Sequence, residues 1–282
     1  MRERGPSLTA RGAAAHRAVH QTIEGGAIFS DPFAAVLLDA SALAAAELVA
    51  ADPPAPSLRR FMAARSRFAE DSLSAAVERG LRQLVVLGAG LDTFALRNPH
   101  ADAGLRVFEV DHPETQAWKR ERLAQAGLAV PRLLTFVAVD FERQDLGDAL
   151  AAAGFRSDRP AFFTWLGVVP YLTREAVMAT LRFIAGVPDA EVVFDYSEPV
   201  ESYPPARRAR VAARAARVAA AGEPWLSRFD PATLAAELRA IGFADLEDLG
   251  PSELARRFYG GSSDGPGAHV IRAARLPAKA AP

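Results

Sequence analysis

From Leu84 onward the chain alternates short apolar runs with segments whose apolar residues recur at helical spacing, the pattern of βαβ units with a parallel sheet covered on both faces. Leu84 to Leu87, Leu105 to Val110, Leu133 to Val139 and Ala161 to Leu166 are rich in β-branched, leucine or aromatic residues and short enough to be strands. Glu191 to Tyr196, Ala244 to Asp248 and His269 to Arg275 bring the set to seven. Helix ends are readable between them. Thr173 is a suitable N-cap for a helix stopping near Gly186, and Asp230 followed by Pro231 opens another that closes at Gly242. The last two strands are joined by about twenty residues holding Gly260, Gly261, Gly265 and Pro266, too irregular for a crossover helix. An antiparallel final strand is expected.

Ahead of Leu84 the pattern changes: Ala34 to Ala51 and Arg59 to Gly80 read as helices, separated by Asp52 to Pro56, whose prolines do not belong in a helix interior. Residues 1–80 are therefore expected to form a helical cap and residues 81–282 an α/β core. A helical insertion at about 200–228, with Ala206 to Ala221 following Pro204 and Pro205, is placed as a lid. Leu276 to Pro282 reads as a tail.

Composition narrows the function. Half of the 282 residues are hydrophobic, enough for one core domain with an appendage. The net charge is -1 with both signs interleaved, which disfavours a polyanionic partner such as nucleic acid. The absence of cysteine excludes disulfides, thiolate nucleophiles and zinc–thiolate or iron–sulfur sites. Met1 to Gln21 has no apolar signal-peptide core and no run of 18 apolar residues occurs, so a cytoplasmic protein without a membrane span is expected. Basic residues are almost all arginine, with lysine at Lys119 and Lys279 alone.

The most informative stretch is Leu84-Val-Val-Leu-Gly88-Ala89-Gly90-Leu-Asp-Thr93-Phe. A buried strand running into Gly-x-Gly turns sharply and lets the backbone approach a ligand, because neither glycine carries a Cβ. By itself this could be an ordinary strand-to-helix turn. Val107-Phe-Glu109-Val-Asp111 then ends the next strand on an acid, about twenty residues after the glycines, where a carboxylate accepts hydrogen bonds from both hydroxyls of an adenosine ribose. Asp111 could also be the N-cap of a helix beginning at Pro113. Glu109 alternates to the other face and reads as structural. Dinucleotide folds place a third glycine where this chain has Thr93, which argues against NAD and for an adenosine cofactor without phosphates. S-adenosylmethionine fits, its methionine end being a zwitterion.

Five motifs, in order, carry a family resemblance: Phe61-Met-Ala-Ala-Arg65-Ser-Arg67-Phe, Leu87-Gly-Ala-Gly-Leu-Asp-Thr93, Phe108-Glu-Val-Asp111-His112-Pro113, Val139-Asp140-Phe141 and Trp165-Leu-Gly-Val-Val-Pro-Tyr171-Leu. With them the chain resembles the leucine carboxyl methyltransferase family, in particular its bacterial O-methyltransferases related to polyketide carboxyl methyltransferases. The resemblance implies an α/β, Rossmann-like class I methyltransferase fold: a seven-stranded sheet, last strand antiparallel, binding S-adenosylmethionine across the carboxyl ends of its first strands. It further implies that Arg65 pairs with the methionine carboxylate, that Asp111 holds the ribose, and that Asp140 with the backbone of Phe141 meets the adenine. Gly88, Ala89, Gly90, His112 and Trp165 belong to the same cofactor set. Many relatives carry glutamate where this chain has Leu166, so any contact made by that acid is missing here.

The expected reaction is methyl transfer to a carboxylate, or less favoured a hydroxyl, of a small polyketide-like acid. A carboxylate is already ionised at neutral pH and needs no base. Tyr171 is the acceptor-side candidate, with a partly buried structural tyrosine as the competing assignment. His16 and His20 have helical i, i+4 spacing but no third ligand, so two histidines on a solvated helix are favoured over a metal site. No Gly-x-Ser-x-Gly, P-loop or His-Glu-x-x-His pattern occurs. An NAD(P)-dependent oxidoreductase and a cofactor-binding relative without catalysis are the alternatives.

Overall fold

The computed structural model describes residues 7–38, 43–44, 55–140, 144–220, 222–261, 263 and 265–275. The chain divides into two compact units, Met1–Arg156 and Ser157–Pro282. The tail expected over Leu276 to Pro282 lies outside the described residues.

The first unit is built on three parallel strands, β1 (Gln83–Leu87), β2 (Arg106–Asp111) and β3 (Leu134–Ala138), with β2 in the middle. Every residue of β1 is buried, which is why its sequence is a continuous apolar run rather than an alternating one. The register pairs Leu87 with Val110 and Asp111 with Ala138, so the three carboxyl ends lie side by side. Helix α1 (Leu8–Ile23), expected only as a solvated helix carrying His16 and His20, is capped by Ser7, whose Oγ accepts from the Ala10 amide at 3.1 Å. Helix α2 (Ala55–Glu78) starts earlier than expected because Pro56 falls in its first turn, where a missing N–H costs no intrahelical bond. Helix α3 (Pro113–Gln125) and the short α4 (Leu146–Ala152) follow β2 and β3.

The helix expected from Ala34 is not seen at its start: residues 32–37 form turns, closed by bonds such as Val36 N–H to Phe33 O and Leu38 N–H to Ala35 O. Most of its remainder lies outside the described residues. The turns let Ala34, Leu37 and Leu38 pack with Ala14 and Ala18 of α1, Leu91 and Leu123 in one buried cluster.

The second unit holds β4 (Phe162–Trp165) parallel to β5 (Glu191–Ser197), then β7 (Ala268–Ala274) antiparallel to β5, and β6 (Asp245–Leu249) antiparallel to β7 at the edge. Three strands in one unit and four in the other make the expected seven, each within one residue of its expected ends, with the last antiparallel. Helix α5 (Arg174–Ala185) is capped by Thr173 and α7 (Pro231–Ala240) by Asp230 with Pro231 in its first turn, both as the sequence indicates. Between them the insertion carries α6 (Pro205–Ala220). Its neck closes where Phe229 N–H meets Ser197 O and the Arg228 guanidinium donates to Glu198 O, both at 3.0 Å. The link before β7 is more regular than expected: helix α8 (Pro251–Leu254) runs into a single π-helical turn, Ala255–Tyr259, which ends at Gly260 with φ +66°. Beside it the buried His269 is held between Asp248 at 3.0 Å and Glu198 at 3.2 Å. Burial opposes its charge, yet the two carboxylates win and raise its pKa above the ordinary value.

Candidate active site

Both glycines of the β1 loop need their lack of a side chain: Gly88 has φ +63° and Gly90 φ +46°. The loop is stitched to the neighbouring strand by Ala89 N–H to Val110 O at 3.0 Å. At the end of β2, one Asp111 oxygen accepts from Gly90 N–H at 2.5 Å and the other from His112 N–H at 2.6 Å. Thr115 adds a side-chain hydrogen bond. Asp111 is thus a clamp on the glycine bend as well as a ligand candidate, and it is not the helix cap. That position belongs to His112, whose Nδ1 accepts from Glu114 N–H at 3.3 Å ahead of Pro113.

Burial pushes the Asp111 pKa above the usual carboxylate range in spite of these donors. Three protein donors do not exhaust a carboxylate with about four acceptor positions, so a partly desolvated anion remains with capacity for hydroxyl donors. A ribose supplies such groups, and the residues at this position fit it. Next along the sheet, Val139 N–H donates to Asp111 O at 2.9 Å and brings Asp140 to the adjoining strand end, where its own N–H meets Gln144 Oε1 at 3.0 Å. Gly88, Ala89, Gly90, Asp111, His112 and Asp140 are therefore gathered at the carboxyl ends of three neighbouring parallel strands, where open α/β sheets bind ligands. Phe141 lies outside the described residues. Arg65 is buried in α2 with its guanidinium 5.8 Å from the centre of the Phe61 ring. In the second unit, Trp165 ends β4, buried and 6.3 Å from the Phe194 ring, and the half-buried Tyr171 closes the turn that follows β4.

A buried polar network missing from the sequence analysis fixes the loop from its other side. Thr93 Oγ1 donates to Asp31 at 2.7 Å, and Arg17 of α1 donates to Asp31 at 2.8 Å and to Leu91 O at 2.7 Å. Burial raises the Asp31 pKa, but the charge of Arg17 and the Thr93 bond outweigh it and hold it below the ordinary value. Arg97 continues the network to both oxygens of Glu70 on α2. The available signal was Asp31 itself, a lone acid between Phe29 and Phe33. A second missed anchor is Lys119 on α3, fully buried, which donates at 2.6 Å to both Glu109 and Asp92 O. Burial pushes Glu109 up to about 7. The lysine stands out in a chain that otherwise uses arginine.

His20 corrects an expectation. It is fully buried rather than solvated, with Nδ1 at 3.0 Å from Glu24 and Nε2 accepting from the amides of Ile28 and Phe29. A carboxylate on one nitrogen and two N–H donors on the other leave the ring no lone pair for a metal.

Residues 10–185 match the model of the leucine carboxyl methyltransferase family. The chain belongs to this family. A relative in Bacillus subtilis, provisionally named S-adenosyl-L-methionine-dependent methyltransferase YktD, is 36% identical over 203 residues, covering 71% of this chain and 66% of that protein. One in Mycobacterium avium with the same provisional description is 37% identical over 182 residues, covering 60% and 57%. The match thus spans less than two thirds of either relative. A structure from Thermobifida fusca, provisionally named a methyltransferase, superposes with a TM-score of 0.59 at 17% identity over 98% of this chain and 97% of that one. A DUF574 family protein of Streptomyces avermitilis gives 0.57 at 17% over 96% and 98%. At such identities the likeness concerns the fold, which is the family's class I α/β fold.

Proposed function

We propose that this family member is an S-adenosylmethionine-dependent O-methyltransferase that methylates a carboxylate, in preference to a hydroxyl, on a small acid of polyketide type. The observation that carries the reading is the Gly88–Gly90 bend tied to a desolvated Asp111 at the end of β2. Family membership and the provisional names of the relatives support it.

In this reading Asp111 holds the ribose hydroxyls, and the Gly88-Ala89-Gly90 backbone and His112 line the methionine and ribose. Asp140, with the backbone of Phe141, meets the adenine. Arg65 clamps the methionine carboxylate, which suits a guanidinium with two parallel donors, and Trp165 completes the cofactor set. Leu166 offers no polar group of its own. When bound, the sulfonium supplies an activated methyl. The chain's part is then to hold the acceptor oxygen in line and to exclude water, and a carboxylate acceptor asks for no base. Tyr171 is assigned to the acceptor as a hydrogen-bond donor. Residues 1–80 serve as a cap and the insertion at about 200–228 as a lid, the regions in which specificity resides. The oxidoreductase alternative loses ground because Thr93, standing where dinucleotide folds use glycine, is committed to Asp31.

Calorimetry with S-adenosylmethionine, S-adenosylhomocysteine and NADH tests the cofactor. Binding of the first two without NADH is expected, and NADH binding alone would overturn the proposal. Transfer of labelled methyl to a panel of aryl and polyketide acids, their esters and matching phenols tests the acceptor, with activity on the acids expected.

A further inference from the structure

Helix α6 carries Arg207, Arg208, Arg210, Arg214 and Arg217 and no acidic residue. Spacings of three, four and three put Arg207, Arg210, Arg214 and Arg217 in one stripe, where like charges at i, i+3 and i, i+4 oppose the helix. Elsewhere the chain answers its arginines with carboxylates: Arg17 with Asp31, Arg59 with Glu24, Arg97 with Glu70 and Arg272 with Asp245. Among the described residues none of the five α6 guanidiniums meets one. Arg208 donates to the carbonyls of Tyr203 and Glu201. Arg214 instead stacks over Trp225 at 5.6 Å, and Arg228 approaches the same indole at 5.3 Å. A guanidinium on a ring face keeps in-plane donors for an anion.

This pair is anchored to the turn after β4 that Tyr171 closes. Leu226 N–H donates to Pro170 O at 2.7 Å and Ser227 Oγ to Val169 O at 2.8 Å, while Arg228 reaches Glu198 just past β5. Unanswered positive charge and a flat indole are thus collected at the carboxyl ends of β4 and β5. A guanidinium clamped on the carboxylate being methylated would drain the attacking oxygen and lose its partner in the ester. On a spectator anion the contact persists through the reaction and adds uniform binding.

We propose that Arg214 and Arg228, both held against Trp225, form an anion subsite that selects acceptors carrying a negative group other than the oxygen that is methylated. The proposal rests on the methyl-transfer reading for its role and on the second unit alone for its geometry.

Calorimetry on the full chain, with and without S-adenosylhomocysteine at 0.15 M salt, compares naphthalene-2,6-dicarboxylate with its monoamide. The dianion is expected to bind about tenfold more tightly, the scale of one charge-assisted contact. Arg214→Gln should remove that preference and leave monoamide affinity within about twofold, whereas Arg210→Gln, in the same stripe but not stacked on Trp225, should preserve it. No preference for the dianion, including no binding of either probe, overturns the subsite. So does an equal loss in both variants, which would reduce it to diffuse charge. Should S-adenosylhomocysteine fail to bind while the preference survives, the methyl-transfer reading falls and the subsite stands.

Discussion

Replacing Asp111 separates a ligand role from a purely structural one. The carboxylate accepts from Gly90 N–H, His112 N–H and Thr115, and burial raises its pKa, so at neutral pH the fold carries this charge in a poorly compensated state. Asp111→Ala relieves that cost while orphaning donors at the bend, and the opposing effects leave only a small change in Tm. Binding has no such offset. Losing charged hydrogen bonds to a ribose costs about 1 to 3 kcal/mol, or about 5- to 150-fold in the Kd of S-adenosylhomocysteine. Asp111→Asn does not rescue it, because one face of the amide would present N–H to the N–H of Gly90 or His112. A pH series adds a signature. Hydroxyl donors favour the ionised form, so the bound pKa lies below the raised pKa of the free protein, and affinity strengthens as pH rises through the latter. That slope should vanish in the alanine variant. Titration calorimetry paired with thermal melts decides the matter: unchanged affinity, or a loss of affinity matched by collapse of Tm, refutes the reasoning.

Three further outcomes follow from the same unit. Gly90→Ala forces an L residue to φ +46° with its Cβ 3.2 Å from that of Ala10, so a loss of about 1 to 2 kcal/mol in stability and weaker S-adenosylhomocysteine binding are expected; an unshifted melt would count against the glycine argument. Thr93→Val keeps the shape but removes the donor to buried Asp31, costing about 1 to 3 kcal/mol, read by denaturant unfolding; wild-type stability would show that Arg17 alone suffices. Glu109, pushed up to about 7 when folded, ionises near 4.5 when unfolded, so its contribution is fully present below about 4.5 and is lost as pH rises to about 7. Glu109→Gln lacks that decline, and its Tm should gain on wild type between pH 5 and 8. Parallel melting curves across that range would argue that Lys119 keeps Glu109 ionised throughout.

The strands were legible because parallel strands buried on both faces must be written as short apolar runs. Gln83–Leu87 and Arg106–Asp111 sit almost where hydrophobicity alone puts them. Helix caps such as Thr173 and Asp230 were legible for a local reason, since donor and acceptor lie three residues apart. The packing of helix α1 was not. Its buried face is made of small residues, Ala14 and Ala18, together with Arg17 and His20, two polar side chains buried against partners that sequence periodicity does not announce. The start at Ala34 misled because alanine and leucine at helical spacing serve a packed turn equally well once α1 supplies the opposing surface.

At the site the same division holds, and it bears on which cofactor the loop suits. Gly88, Gly90 and Asp111 follow from backbone and strand-end chemistry, but the bond between Gly90 and Asp111 joins residues 21 apart and leaves no periodic trace. Thr93 is the sharper case. In the sequence it counts only as a glycine that is missing; in the fold its hydroxyl reaches across 62 residues to Asp31, which Arg17 keeps charged from α1. A dinucleotide loop needs glycine there so that its helix can close on a pyrophosphate. Here the position ties the loop to the N-terminal segment instead, so a glycine at residue 93 would not recover a dinucleotide site; it would detach Asp31 and loosen the bend that Asp111 holds.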